Sequence, residues 1–209
     1  MSVSREAAST TGRRVGILAL QGDYEAHARA LCDLGARAIF VRRPEQLQEI
    51  DSLILPGGES TTMVKLIDAY EFEQPLREFH RRRRPIFGTC AGLILLASEI
   101  TDHPEQMCLG CFDAGVARNA YGRQIESFET RLEAPLLGDK PLPAVFIRAP
   151  RIVRAGAGVE VLARLNGNSV LVRQENVLAA SFHPELTADR RVHRLFLEMN
   201  SPDTAHRAG

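Results

Sequence analysis

Cysteine is scarce: the 209 residues hold four, Cys32, Cys90, Cys108 and Cys111. That number and spacing exclude the disulfide framework of a small secreted domain, and with no signal-peptide pattern at the start they set the expectation of a reducing cytoplasm. Charge of either sign is not in surplus, since 26 lysines and arginines face 26 aspartates and glutamates. Nucleic acid and anionic membranes recruit basic chains, so neither is expected as a partner. No apolar run is long enough to cross a bilayer. Internal repeats and linker-like stretches are missing too. The expected organisation is a disordered tail over residues 1–14, one folded domain over 15–200, and a frayed tail over 201–209.

What is there is 44% hydrophobic, ample for a core. Val15 to Leu20 is a nearly continuous apolar run of the kind found in strands covered on both faces, and Tyr24 to Leu34 reads as a helix stopped by Gly35. Arg37 to Val41 and Leu53 to Leu55 read as further strands, Thr61 to Tyr70 and Gln74 to Arg82 as helices. The basic run His80 to Arg84 ends a helix and reads as a solvated face. Beyond Thr101 come short strand-like pieces near Val116, over Gln124 to Leu132, Ala144 to Ile147, Val159 to Leu165 and Ser169 to Arg173. Val177 to Phe182 then resembles a core strand and Asp189 to Met199 a closing helix. The pattern predicts an α/β fold with three layers: a mostly parallel open sheet flanked by helices, with an antiparallel extension.

The chemistry centres on Pro85 to Ala97, PIFGTCAGLILLA, a buried strand that bends into a helix with Cys90 at the corner. In G-x-C-x-G the glycines let strand and helix approach closely around a strained nucleophile. A thiol at a helix start meets free backbone N–H groups, which favour thiolate and can hold an oxyanion, the Ala91 amide first among them. A buried structural cysteine between small residues is the plainer alternative. The PGGES turn, Pro56 to Ser60, lies at another strand end, where ligands of open sheets bind.

A cysteine nucleophile needs a base, and His183 follows a predicted core strand. Pro184 biases His183 toward an extended backbone, so Glu185, two residues on, projects to the same side and can fix its tautomer. His27, His80, His103, His193 and His206 are assigned to helix surfaces, loops or the tail. Cys108 and Cys111 form one isolated C-x-x-C without a second ligand pair, so zinc is not expected and loop thiols are.

GTCAGLIL, LPGGESTT and SFHPEL together resemble the class I glutamine amidotransferase family. RNAYGRQIESFE and VFIRAP are similar to the branch that serves as glutaminase subunit of pyridoxal 5′-phosphate synthase. Ile94 stands where many class I members carry Gln, as in that branch, and Tyr121 where the branch more often has Phe. The resemblance implies Cys90 as nucleophile, His183 as general base and acid, and Glu185 as orienting carboxylate. It further implies that Gly58, Glu59, Ser60, Arg118, Ile147 and Arg148 contact L-glutamine, that the amides of Gly58 and Ala91 hold the oxyanion, and that Gln21 orders that site when the partner docks. The implied partner is a synthase subunit in a large hetero-oligomer, without which the glutaminase is nearly silent, and no metal or cofactor is needed. Another cysteine amidohydrolase on the same fold, or a silent binding module, are the alternative readings.

Overall fold

The computed structural model describes residues 12–118 and 127–199. Strand and helix alternate through the first half: β1 (Arg14–Leu18), α1 (Tyr24–Asp33), β2 (Arg37–Val41), β3 (Ser52–Leu55), α2 (Ser60–Ala69), α3 (Glu73–Arg81), β4 (Ile86–Thr89) and α4 (Ala91–Leu96). The second half is strand-rich: β5 (Ala97–Ile100), β6 (Phe112–Ala117), β7 (Ser127–Leu132), β8 (Leu142–Ile147), β9 (Arg151–Ala155), β10 (Glu160–Leu165), β11 (Asn168–Gln174) and β12 (Val177–Ala180), closed by α5 (Arg191–Glu198).

Seven strands form the main sheet in the order β10-β11-β12-β4-β3-β1-β2. The five from β12 to β2 run parallel, while β11 pairs antiparallel with both β10 and β12. This is the expected mostly parallel sheet with an antiparallel extension. Its central strands β3, β4 and β12 are buried at every position, and β1 after Arg14, because both faces are covered there; period-two alternation assigns each residue to a layer. Leu53, Leu55 and Ile86 pack with Met63, Ile67, Leu76 and Phe79 of α2 and α3. Ile54 and Phe87 turn the other way, toward Leu31 of α1 and Val192 and Phe196 of α5.

Some boundaries differ from expectation. The 1–14 tail is too long at its inner end: Arg14 belongs to β1, and Arg13 already accepts from the Arg37 amide at 3.0 Å. Residues 1–11 and 200–209, with His206, lie outside the described residues. So do Tyr121 and the Gln124 to Glu126 start of a predicted strand, whose remainder is β7. The apolar run after Gly92 is not helical to its end. α4 stops at Leu96 because the amides of Leu109 and Cys111 take the carbonyls of Leu95 and Leu96 at 2.6 and 2.8 Å, and Ala97 opens β5, which the sequence reading did not contain. β9 was likewise not expected, its alternation being mostly polar and exposed.

Two assignments are corrected outright. His27 and His193 do not lie on helix surfaces; both are fully buried between the sheet and its covering helices. The basic run is not wholly solvated either, since Arg84 donates to the Leu47 carbonyl at 2.9 Å and His80 meets Asn176. The Cys108 and Cys111 loop is pinned by Arg77, which donates to the carbonyls of Cys108 and Leu109 at 2.9 and 2.5 Å. Burial pushes the Cys111 thiol up to about 12, which makes it inert near neutrality.

Candidate active site

Parallel strands end on one edge, so the residues that follow β1, β3, β4 and β12 gather there: Gln21, the turn of Gly57 and Gly58, Cys90, and His183. Cys90 occupies the bend between β4 and α4 with φ 48° and ψ −102°, a conformation an L-residue adopts only under constraint. Its amide donates to the Ala180 carbonyl at 2.9 Å, which ties the bend to the strand that delivers His183. Gly88 and Gly92 make the bend possible. A Cβ on Gly88 would lie 2.6 Å from the Gly92 carbonyl, and one on Gly92 would lie 2.1 Å from the Leu55 oxygen.

His183 Nδ1 is 2.7 Å from Glu185 Oε1, and the His183 amide donates to the Val145 carbonyl of β8 at 2.8 Å. The contact arises differently from the expected extended path: Pro184 to Leu186 form a single 3₁₀ turn that folds the carboxylate back onto the ring. Burial pulls the His183 pKa down, but hydrogen bonding to the Cys90 side chain and to Glu185 outweighs it and lifts the value to about 10. Burial disfavours ionised Glu185, yet His27 and His183 beside it hold its carboxyl below the usual range. The thiol, ring and carboxylate thus stand in sequence. Cys90 Sγ also lies 3.8 Å from the Ile147 carbonyl, at the end of β8.

A cavity of about 540 Å³ opens over the thiol. Gly58, Glu59, Ser60, Arg118, Ile147 and Arg148, all named from the sequence, line it with Cys90 and His183. The side chain of Glu59 is engaged elsewhere, as the N-cap of α2, accepting from the amides of Thr61 and Thr62 at 3.0 and 2.7 Å. Burial opposes its ionisation, but the hydrogen bonds from Thr62 and Thr61 bring the carboxyl down to about 2. Arg118 is held toward the cavity by Thr61 Oγ1 at 3.0 Å, Gln106 Oε1 at 2.5 Å and Glu59 Oε1 at 3.7 Å. Gln21 donates to the Glu59 carbonyl at 3.2 Å, and a Cβ on Gly58 would lie 2.2 Å from its Nε2. Ala91 is buried at the first position of α4, directly after the thiol.

Sequence reasoning missed several lining residues. Asp23, Gly57, Ile94 and Leu186 face the cavity without having been assigned contacts. Gly57 had a visible signal, being the first glycine of a paired turn, Leu186 closes the HPEL motif, and Ile94 was noted as a departure from other class I members without being given a contact; Asp23 had no signal beyond adjacency. An aligned thiol, imidazole and carboxylate beside a concave site with a cationic wall suit acyl transfer from an anionic amide substrate.

The model of the SNO glutamine amidotransferase family matches residues 17–201. A pyridoxal 5′-phosphate synthase subunit PdxT from Desulforudis audaxviator is 52% identical, over 88% of this chain and 97% of that protein. The protein of the same name from Mycobacteroides abscessus is 54% identical, over 88% and 96%. A solved glutamine amidotransferase superposes with a TM-score of 0.84 at 54% identity, covering 89% of this chain and 98% of its own. The structure of PurLQS from Thermotoga maritima, at 17% identity and a TM-score of 0.67, shares the fold, covering 90% of this chain and 99% of that one.

Proposed function

The chain belongs to the SNO glutamine amidotransferase family, and from that membership we infer that it is a glutaminase subunit of pyridoxal 5′-phosphate synthase, hydrolysing L-glutamine to L-glutamate and ammonia for vitamin B6 synthesis. Cys90 thiolate attacks the side-chain carboxamide carbon and forms a tetrahedral intermediate, its oxyanion held by the amides of Gly58 and Ala91. His183 gives its proton to the departing nitrogen, ammonia leaves, and a thioester remains. Water, deprotonated by His183, attacks the thioester carbonyl; the C–S bond breaks and glutamate is released with the thiol restored. Glu185 keeps the His183 ring in the tautomer that serves both steps.

Arg118 pairs with the α-carboxylate of the substrate, a charge-assisted contact. Glu59 contributes its backbone, since its carboxylate caps α2 and steadies Arg118. Ammonia passes to a synthase subunit within a large hetero-oligomer, whose docking completes the oxyanion site through Gln21. The chain carries no net charge, and among the described residues no helix is long and apolar enough to cross a membrane. Four free cysteines suit work in the cytoplasm.

The observation that carries this reading is the 2.7 Å contact of His183 with Glu185 beside a cavity lined by every residue assigned to glutamine. The test is ammonia release from glutamine labelled in the amide, with the cognate synthase subunit present. Release lost in Cys90→Ala supports the reading, and release unchanged in that variant refutes it.

A further inference from the structure

Behind the triad lies a pair of histidines with no role in the reaction described above. His27 of α1 and His193 of α5 are fully buried, and their rings meet with His27 Nδ1 3.0 Å from His193 Nε2. The other nitrogen of His27, Nε2, points at the sheet edge, 3.2 Å from Thr89 Oγ1 and 3.5 Å from Glu185 Oε2. That carboxylate oxygen is buried and forms no hydrogen bond among the described residues, facing the His27 nitrogen across 3.5 Å. Glu185 therefore has one oxygen hydrogen-bonded to His183 and the other facing His27 at longer range.

Hydrogen-bond satisfaction fixes the tautomers. Oε2 of an ionised carboxylate only accepts, so a hydrogen on His27 Nε2, the nitrogen that faces it and that is hydrogen-bonded to the Thr89 hydroxyl, avoids two opposed lone pairs. Nδ1 of His27 is then an acceptor, and His193 Nε2 must be the donor facing it. His193 Nδ1, buried with no partner among the described residues, is left as a bare lone pair. The opposite assignment sets a lone pair against the carboxylate and leaves a buried N–H on His193 without an acceptor. The first assignment leaves one unpaired acceptor on His193, whereas the opposite one leaves an unpaired donor there and adds lone-pair repulsion at the carboxylate. A charged state does not rescue it: burial lowers the pKa of both rings, that of His193 to about 3.

We propose that His27, oriented by His193, is a positioning residue for the glutaminase triad, its Nε2–H holding Glu185 Oε2 so that Oε1 stays on His183 Nδ1. The proposal rests on the glutaminase reading and extends it one layer inward. Glu185 sits on a three-residue turn, buried, with Oε1 on His183 and Oε2 turned toward His27. An N–H on that side favours the orientation that keeps Oε1 on the catalytic ring. The contact at 3.5 Å is long, as such contacts are before substrate binds.

The charged and titratable groups around the pair are few: Glu185, His183 and Asp23 face His27, and Glu185, His27 and Arg190 face His193. Glu185 is held ionised by the rings beside it. Losing the His27 donor raises the carboxyl pKa, so its ionised form disappears at higher pH and the acid limb of kcat/KM moves up.

The experiment is glutaminase kinetics across pH on the assembled complex, comparing wild type with His27→Phe, His27→Gln and Cys90→Ala. Phe keeps a ring in the buried space without a donor, whereas Gln places an N–H near the position of Nε2. His27→Phe is expected to lose about tenfold or more in kcat with KM nearly unchanged, and its acid limb is expected to rise by roughly one pH unit. His27→Gln is expected to recover most of both. Equal loss in the two variants, or an acid limb that stays put in His27→Phe, overturns the proposal. If His27→Phe does not fold, His193→Phe carries the same test, since it leaves His27 in place and removes only the donor that orients it: an unmoved acid limb there overturns the proposal. Activity surviving Cys90→Ala indicts the glutaminase reading instead.

Discussion

Gly57 and His183 are in such close contact that a Cβ on Gly57 would come within 2.3 Å of the imidazole Cε1 and 3.3 Å of the Cys90 Cβ. The first glycine of the turn therefore does more than bend the chain; its missing side chain is the space in which the ring sits. Gly57→Ala is expected to push the imidazole off line and lower kcat by roughly a hundredfold, the usual scale for an ångström of misplacement at a reacting centre. Steady-state glutaminase assay of the complex checks it, with thermal unfolding as control.

Arg118 is aimed by Thr61, Gln106 and Glu59, and its proposed task is to bind a carboxylate. Arg118→Met is expected to raise KM for glutamine by roughly tenfold to a hundredfold with a smaller change in kcat, the range for one charge-assisted contact. Initial rates over a glutamine series read it. A fall confined to kcat contradicts the assignment.

His193 predicts an acid-side loss of stability. Its folded pKa is lowered from 6.5 to about 3, so below 6.5 the unfolded chain takes up a proton that the folded chain refuses until about 3. Stability then falls as pH falls, by up to ~1.4 kcal/mol per pH unit for one proton. His27, also lowered, acts in the same direction. Urea unfolding of wild type and His193→Phe between pH 7 and pH 5 should converge toward acid, the variant having lost that titration. Parallel curves contradict it.

Gly92 packs its Cα against the Leu55 carbonyl, where a Cβ would come within 2.1 Å. Backbone cannot yield as a side-chain tip does, so Gly92→Ala is expected to cost ~3 kcal/mol or more by separating α4 from β3. A clear drop in melting temperature is the readout, and loss of activity should accompany it because α4 carries the Ala91 amide.

The fold was legible where the chain repeats a strong pattern. Ile54 and Leu55 face opposite layers yet are both apolar, which marks a two-sided buried strand, and such strands alternating with helices leave one topology class. The candidate site was legible in that its proposed parts stand at the ends of those strands: Cys90 after β4, Gly58 after β3, His183 after β12. β5 and β9 were not legible, because α4 ends through tertiary amides from Leu109 and Cys111 rather than through a local stop signal, and β9 shows mostly polar residues. His27 and His193 were misread for a related reason. A histidine on an amphipathic helix is indistinguishable by periodicity from a surface one, and only the partner helix, 166 residues away in sequence, buries it.

The central claim is that the Cys90 thiol is a nucleophile activated by His183 for glutamine. The most direct measurement is intact-mass and peptide mapping after treating the assembled complex with an electrophilic glutamine analogue. One adduct is expected, on Cys90, formed much more slowly in His183→Gln and suppressed by excess glutamine. An adduct on another cysteine, or labelling of Cys90 that neither His183→Gln nor glutamine affects, contradicts it.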